Sequence, residues 1–321
     1  MLDLAIANLL SPIVLSFVLG VGAALARSDL SVPEAVAKGI SIYLLFAIGF
    51  KGGASLTKHG IDLTLGLSLL AGVILSFGLP LLGFALLRVL SGISRTDAAA
   101  VAGHYGSISI VTFVAGTSVL ADAGIASEGY MVAVAAAMEA PAILSALWLI
   151  SRGSDVAEMS SDLWREILLN GSIVLLLGSF AIGMATGAEG MSRIESFIVS
   201  PFQGVLCLFL LDMGLIAGRG LRQADVLDRG AIAFGLIMPL LGAATGLIAA
   251  LLVGLSVGGT TLLMTLAASA SYIAVPAAMR VAVPQANPSI YLTLSLAVTF
   301  PFNLVIGLPI YLTVAKSVIG S

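Results

Sequence analysis

The 321-residue chain is 59% hydrophobic and only 10% charged, with a mean hydropathy of +1.14, whereas a soluble domain carries about 25% charged residues; this excludes a soluble globular domain and specifies an integral membrane protein. A net charge of −3 provides no basic field for nucleic acid. The single cysteine, Cys207, can form no internal disulfide and completes no Cys/His metal set.

The apolar runs are long and continuous rather than alternating, which selects α-helices over a barrel. At roughly 20 apolar residues per span, the charge and turn clusters predict ten helices: 10–26, 36–56, 61–90, 97–120, 128–150, 166–187, 197–218, 229–254, 258–282 and 288–315. The start Met1-Leu2-Asp3-Leu4 carries no basic segment, so no cleaved signal peptide is expected and the first helix stays. The longest polar gap holds Arg152, Asp155, Glu158 and Asp162. It divides the chain into a first five-helix repeat (1–151), a linker (152–165) and a second five-helix repeat (166–321).

The halves share short matches in the same order. Gly49-Phe50-Lys51-Gly52-Gly53 aligns with Gly214 to Gly218, and Gly106-Ser107-Ile108-Ser109 with Ser269-Ala270-Ser271-Tyr272. Gly129-Tyr130-Met131 and Ala140-Pro141 align, with a one-residue slip, with Ile290-Tyr291-Leu292 and Phe300-Pro301. An odd number of spans per half puts the copies in opposite orientation, as in many secondary transporters. Of the 14 Lys and Arg residues, Lys58, Arg193 and Lys316 fall on one side of this topology, Lys51 lies inside a span, and the remaining ten fall on the other side. By the positive-inside rule both termini lie outside the cytoplasm and the linker inside.

The fourth and ninth spans carry the chemistry. Glycines and serines at mid-span either pack helices closely or mark a break whose amides face an anion. On an unbroken helix Ser107 and Ser109 point about 200° apart; an unwound stretch lets both face one ligand. Gly106, Ser107, Ser109, Ser269 and Ser271 are therefore candidate anion contacts, with Tyr272 shaping or plugging the pocket. Glu139, a carboxylate within the fifth apolar run, is either part of a cation site or a structural group paired with backbone or Lys51. Asp212, the matching carboxylate of the second half, is either a structural group paired with Lys51 across the halves or part of an ion pathway. His104 is either a proton shuttle or simply hydrogen-bonded. Arg280, Pro284 and Asn287-Pro288 mark a helix end and turn. No P-loop, catalytic triad or nucleophile–base pair is present, so neither an enzyme nor an ATP-driven pump is expected.

The stretch Ala268 to Pro276, followed by Arg280-Val281-Ala282-Val283-Pro284-Gln285-Ala286-Asn287-Pro288-Ser289-Ile290-Tyr291, resembles the ninth-helix signature of the sodium-dependent bicarbonate transporters of the SbtA type. Gly106 to Thr112 and Glu139-Ala140-Pro141 resemble that family's fourth- and fifth-helix motifs. The resemblance implies an all-α membrane fold of ten helices in two inverted repeats, with helices four and nine broken and crossing. It implies a core domain (about 61–150 and 229–315) moving against a gate domain (about 10–56 and 166–218). It further implies sodium-coupled bicarbonate uptake across the inner membrane, a homotrimer and a PII-like cytoplasmic regulator. Glu139 and Thr112 would then hold or sense the cation, with sodium as coupling ion and no other cofactor. Two alternatives stay open: a carrier of another small organic anion, and a passive channel or membrane sensor.

Overall fold

The computed structural model describes residues 10–59, 63–151, 169, 171–222, 227–272, 275, 276, 278, 279, 283 and 285–320. The expected linker at 152–165, together with Arg280 and Pro284, lies outside the described residues.

Among the described residues the chain is helical, without strands. Its helices are α1 (Pro12–Leu25), α2 (Glu34–His59), α3 (Leu63–Leu90), α4 (Arg95–Gly106), α5 (Ile110–Asp122), α6 (Met131–Ala137) and α7 (Glu139–Ser151). After the linker come α8 (Gly171–Ile198), α9 (Phe202–Leu221), α10 (Arg229–Val253), α11 (Val257–Ala268) and α12 (Pro288–Ile319). Taking α4 with α5 and α6 with α7 as single spans, 8 helices are long and apolar enough to cross a membrane. The expected first and ninth spans appear as shorter apolar helices, α1 and α11, of 14 and 12 residues. α11 is short because it stops at Ser269, in mid-run.

Local sequence sets these boundaries. Ser11 accepts a hydrogen bond from the Val14 amide and is followed by Pro12, so α1 begins with a side-chain cap and a pre-set φ. Asn287 and Pro288 do the same for α12. Asp228 caps α10 through the Ala231 amide, and also accepts from the Ser91 hydroxyl and the Gly92 amide. It thereby ties the α3–α4 turn to the start of α10. Gly254, at φ 81, ends α10 in the left-handed conformation that glycine adopts without strain.

Small residues decide which helices touch. A Cβ on Gly49 would meet Ser179 and the Leu176 carbonyl; one on Gly53 would meet Phe180 and Met184; one on Gly183 would meet Phe50 and Ala54. The contacts advance together along both chains, so α2 and α8 lie side by side and parallel. Likewise Gly20 meets Leu211 to Leu215, Gly214 meets Phe17 to Val21, and Gly218 meets Val21 and Ala24, so α1 and α9 are also parallel. In a bilayer, where lipid is as apolar as leucine, such backbone approach supplies the packing. By contrast α3 and α10 run antiparallel, with Gly83 against Phe234 and Met238, and Gly230 against Leu90. Long apolar side chains such as Leu63, Leu70, Ile74, Val89, Ile248 and Leu252 are exposed along these outer helices, as a lipid-facing surface requires. The span Arg95–Asp122 is the opposite: 94% of its apolar window is buried inside the protein.

Candidate functional site

That buried span is interrupted. α4 stops at Gly106, Ser107 takes an extended conformation (φ −83, ψ 169), and Ser109 (φ −97, ψ 108) caps a new helix by accepting from the Thr112 amide. The glycine at the break is forced by packing, because its missing Cβ would overlap Pro80 and the Ser76 carbonyl. α11 stops in the same way at Ser269 (φ −85, ψ 163). The two breaks meet. The Ser109 amide donates to the Ser269 hydroxyl at 2.9 Å, and the Ser271 amide donates to the His104 carbonyl at 2.7 Å. Each broken end thus meets some of the other's unpaired backbone groups, which makes non-helical backbone tolerable at this depth.

The surrounding groups are almost all buried. Ser107, Ser109, Thr112, Ser269 and Ser271 are each at most 3% exposed. Thr112 donates its hydroxyl to the Ser109 hydroxyl at 2.9 Å. The Ser269 hydroxyl donates to the Leu266 carbonyl, whereas the Ser107 hydroxyl has no partner among the described residues. Tyr272 sets its ring edge-on against Phe300, with centroids 5.7 Å apart, so it packs on α12 beside the second break. Glu139 begins α7 immediately after Met138, where the fifth span is interrupted. Ser76, whose carbonyl crowds Gly106, donates its hydroxyl to the Met138 carbonyl. One residue of α3 therefore joins the fourth-span break to the turn that presents Glu139. That carboxylate is 7% exposed, and its Oε2 has no partner among the described residues.

Two sequence expectations are corrected here. Lys51 does not pair with Asp212, nor with Glu139: its Nζ sits 4.1 Å from the centroid of the Phe202 ring, and no ion pair joins it to a carboxylate among the described residues. The reason is axial register. Lys51 lies level with the start of α9, whereas Asp212 is ten residues further along, about 15 Å at the helical rise.

His104 was singled out by the sequence; Thr299 and Asn303, which also border the site, were not. His104 hydrogen-bonds the Ala100 carbonyl through Nδ1 at 2.7 Å and stacks on Tyr291 at 4.5 Å, and its buried Nε2 has no partner among the described residues. Tyr105 reaches Thr299, which in turn donates to the Gly235 carbonyl. Asn303 donates to the Ala268 carbonyl at 2.8 Å, one residue before the second break, and accepts from the Tyr311 hydroxyl. α12 carries two π-helical stretches here, Leu294–Thr299 and Asn303–Gly307, a wide-turn geometry that often marks functional sites. Asn303 is the only amide in the run 289–315, and that was the available signal.

Two cavities line the seam between α2, α5 and α9. The larger, about 460 Å³, is bounded by Ile48, Lys51 and Ser55 of α2, Phe113, Thr117 and Ser118 of α5, and Phe202 and Gln203 of α9, and reaches the turn at Ser127 to Gly129. The smaller, about 260 Å³, is bounded by Lys38, Ser41, Leu44 and Leu45 of α2, Ile110, Val111 and Val114 of α5, and Leu206 and Phe209 of α9. It reaches the first turn of α5, just past the break.

A family model described as the Na+-dependent bicarbonate transporter superfamily matches residues 12–316. The chain belongs to this superfamily. No curated protein matches it. Membership makes the protein a multi-pass membrane transporter rather than an enzyme, and gives sodium-dependent bicarbonate transport as the family's function. The superfamily's match spans both breaks, Glu139 and both cavities.

Proposed function

We propose that this protein takes up bicarbonate with sodium by alternating access, holding the anion where the two broken spans meet. The observation that carries this is the contact between the breaks, Ser109 to Ser269 and Ser271 to His104. The start of α5 points its amide end at that junction, and a helix N-terminus favours an anion. Ser107, Ser109, Ser269 and Ser271, with Gly106 backbone, contact the anion; Tyr272 borders it. Glu139, with Thr112, holds or senses sodium as cargo.

An inverted duplication underlies the site. Ser94 and Ser256 are 162 positions apart, as are Ser107 and Ser269; the first pair caps the starts and the second the ends of two 12-residue helices, α4 and α11. The parallel pairs α1–α9 and α2–α8 exchange with each other when the halves are exchanged, as two oppositely oriented copies require. In this reading α1, α2, α8 and α9 form the gate, and the remaining helices form the core that moves past it. The larger cavity faces out and the smaller faces in. Ten spans, termini outside the cytoplasm of the inner membrane, a homotrimer and a PII-like regulator are parts of the same proposal.

The size of the larger cavity favours one alternative, a larger organic anion, since volumes of about 300–1,000 Å³ suit drug-sized ligands. A thermal-shift screen separates the two, because a ligand of the folded state raises Tm. Bicarbonate should stabilise the purified protein in sodium but not in potassium. Stabilisation by small carboxylates, with none by bicarbonate, would transfer the proposal to an organic anion.

A further inference from the structure

The face of α2 that lines the seam places a lysine at each end. Lys51 lines the larger cavity, and Lys38, an exposed residue, lines the smaller. Thirteen positions separate them on one continuous helix, about 20 Å along its axis at the helical rise. Between them the lining residues are Ser41 and then Leu44, Leu45 and Ile48, the last three forming an apolar waist. Neither lysine has a carboxylate partner among the described residues. Glu128 also lines the larger cavity, but its two carboxylate oxygens are taken up by the Ser256 amide and hydroxyl, and Asp122 accepts from Gln203. Lys51 is half-buried, with its ammonium over the Phe202 ring, a contact that holds the group without neutralising it.

From this placement we infer that Lys51 and Lys38 are two anion-attracting stations on one helix, one for each mouth of the seam. Their ligand class is a small monovalent anion, bicarbonate or a short carboxylate. A cation without a carboxylate partner beside a cleft raises the local concentration of the opposite ion and speeds its arrival. The junction of the two breaks has no side-chain cation of its own among its named contacts, so the attraction has to be supplied along the approach. The inference rests on the seam being the transport route, and its test is chosen to be independent of transport.

Detergent-solubilised protein in a Cys207→Ser background receives one reporter thiol, Ser200→Cys beside the larger cavity or Ser41→Cys in the smaller. The reaction rates with sulfonatoethyl and trimethylammoniumethyl methanethiosulfonate, one anionic and one cationic, are measured at low salt. Lys51→Met should lower the anionic-to-cationic rate ratio at the Ser200→Cys thiol about tenfold. Lys51→Arg should leave it unchanged, as should Lys38→Met. At the Ser41→Cys thiol the dependence should reverse, with Lys38→Met lowering the ratio and Lys51→Met leaving it. The loss should shrink at high salt. Ratios that ignore the local lysine, or that fall equally at both thiols with either substitution, would overturn the inference. A protein that shows the expected ratios yet accumulates no bicarbonate would sink the uptake proposal alone.

Discussion

At the scale of single residues, the junction depends on side chains whose substitution has separable effects. Ser109 both caps α5 and offers its amide to Ser269. Loss of a serine cap costs about 1 kcal/mol, so Ser109→Ala should lower Tm by a few degrees and raise the KM for bicarbonate. Ser269→Ala removes the acceptor of the same contact without touching that cap. It should raise KM with a smaller change in Tm, and equal effects on both quantities would argue for packing alone. Glu139→Gln keeps the shape of a buried carboxyl with an unpartnered oxygen and removes its charge. Uptake by this variant should lose its sodium dependence while expression is retained; unchanged coupling would remove Glu139 from the mechanism. Asp228 gives a pH signature outside the membrane. Burial pushes its carboxyl up, but the amides of Ala231, Gly92 and Gly230 and the Ser91 hydroxyl more than offset this, and the net direction is down. A depressed folded-state value contributes stability at pH above the ordinary carboxylate range, and that stability is lost as pH falls through the folded value. Asp228→Asn should therefore lower Tm near neutral pH and close the gap to wild type in acid, as thermal melts from about pH 3 to 7 would record.

At the scale of elements, glycine contacts set the helix pairs. Gly183 has the Phe50 carbonyl 2.2 Å from where its Cβ would stand, well inside any van der Waals approach. Gly183→Val should force α2 and α8 apart and reduce the yield of folded protein severalfold by size-exclusion chromatography. The same change at Gly178, whose Cβ would meet nothing, should be tolerated. These elements were largely legible in the sequence, because apolar run length and Ser, Asp and Pro caps are local signals. The breaks were legible too: Gly106-Ser107-Ile108-Ser109 and Ser269-Ala270-Ser271 announce backbone that lipid does not stabilise. Register was not. Nothing local states that Lys51 stands level with Phe202 rather than Asp212, because that depends on how α2 docks against α9, a helix about 150 residues further along the chain. Asn303 and Thr299 were missed for a related reason, since their partners Ala268 and Tyr105 are brought to them only by the fold.

At the scale of the whole molecule, one buried junction lies beside one seam that carries two cavities. The proposed function requires that this junction couple a bicarbonate ion to sodium. The most direct measurement is accumulation of labelled bicarbonate by purified protein in proteoliposomes, with an inward sodium gradient and with sodium equal on both sides. The account predicts accumulation above equilibrium with the gradient and simple equilibration without it. Entry that never exceeds equilibrium, or accumulation indifferent to sodium, would contradict it.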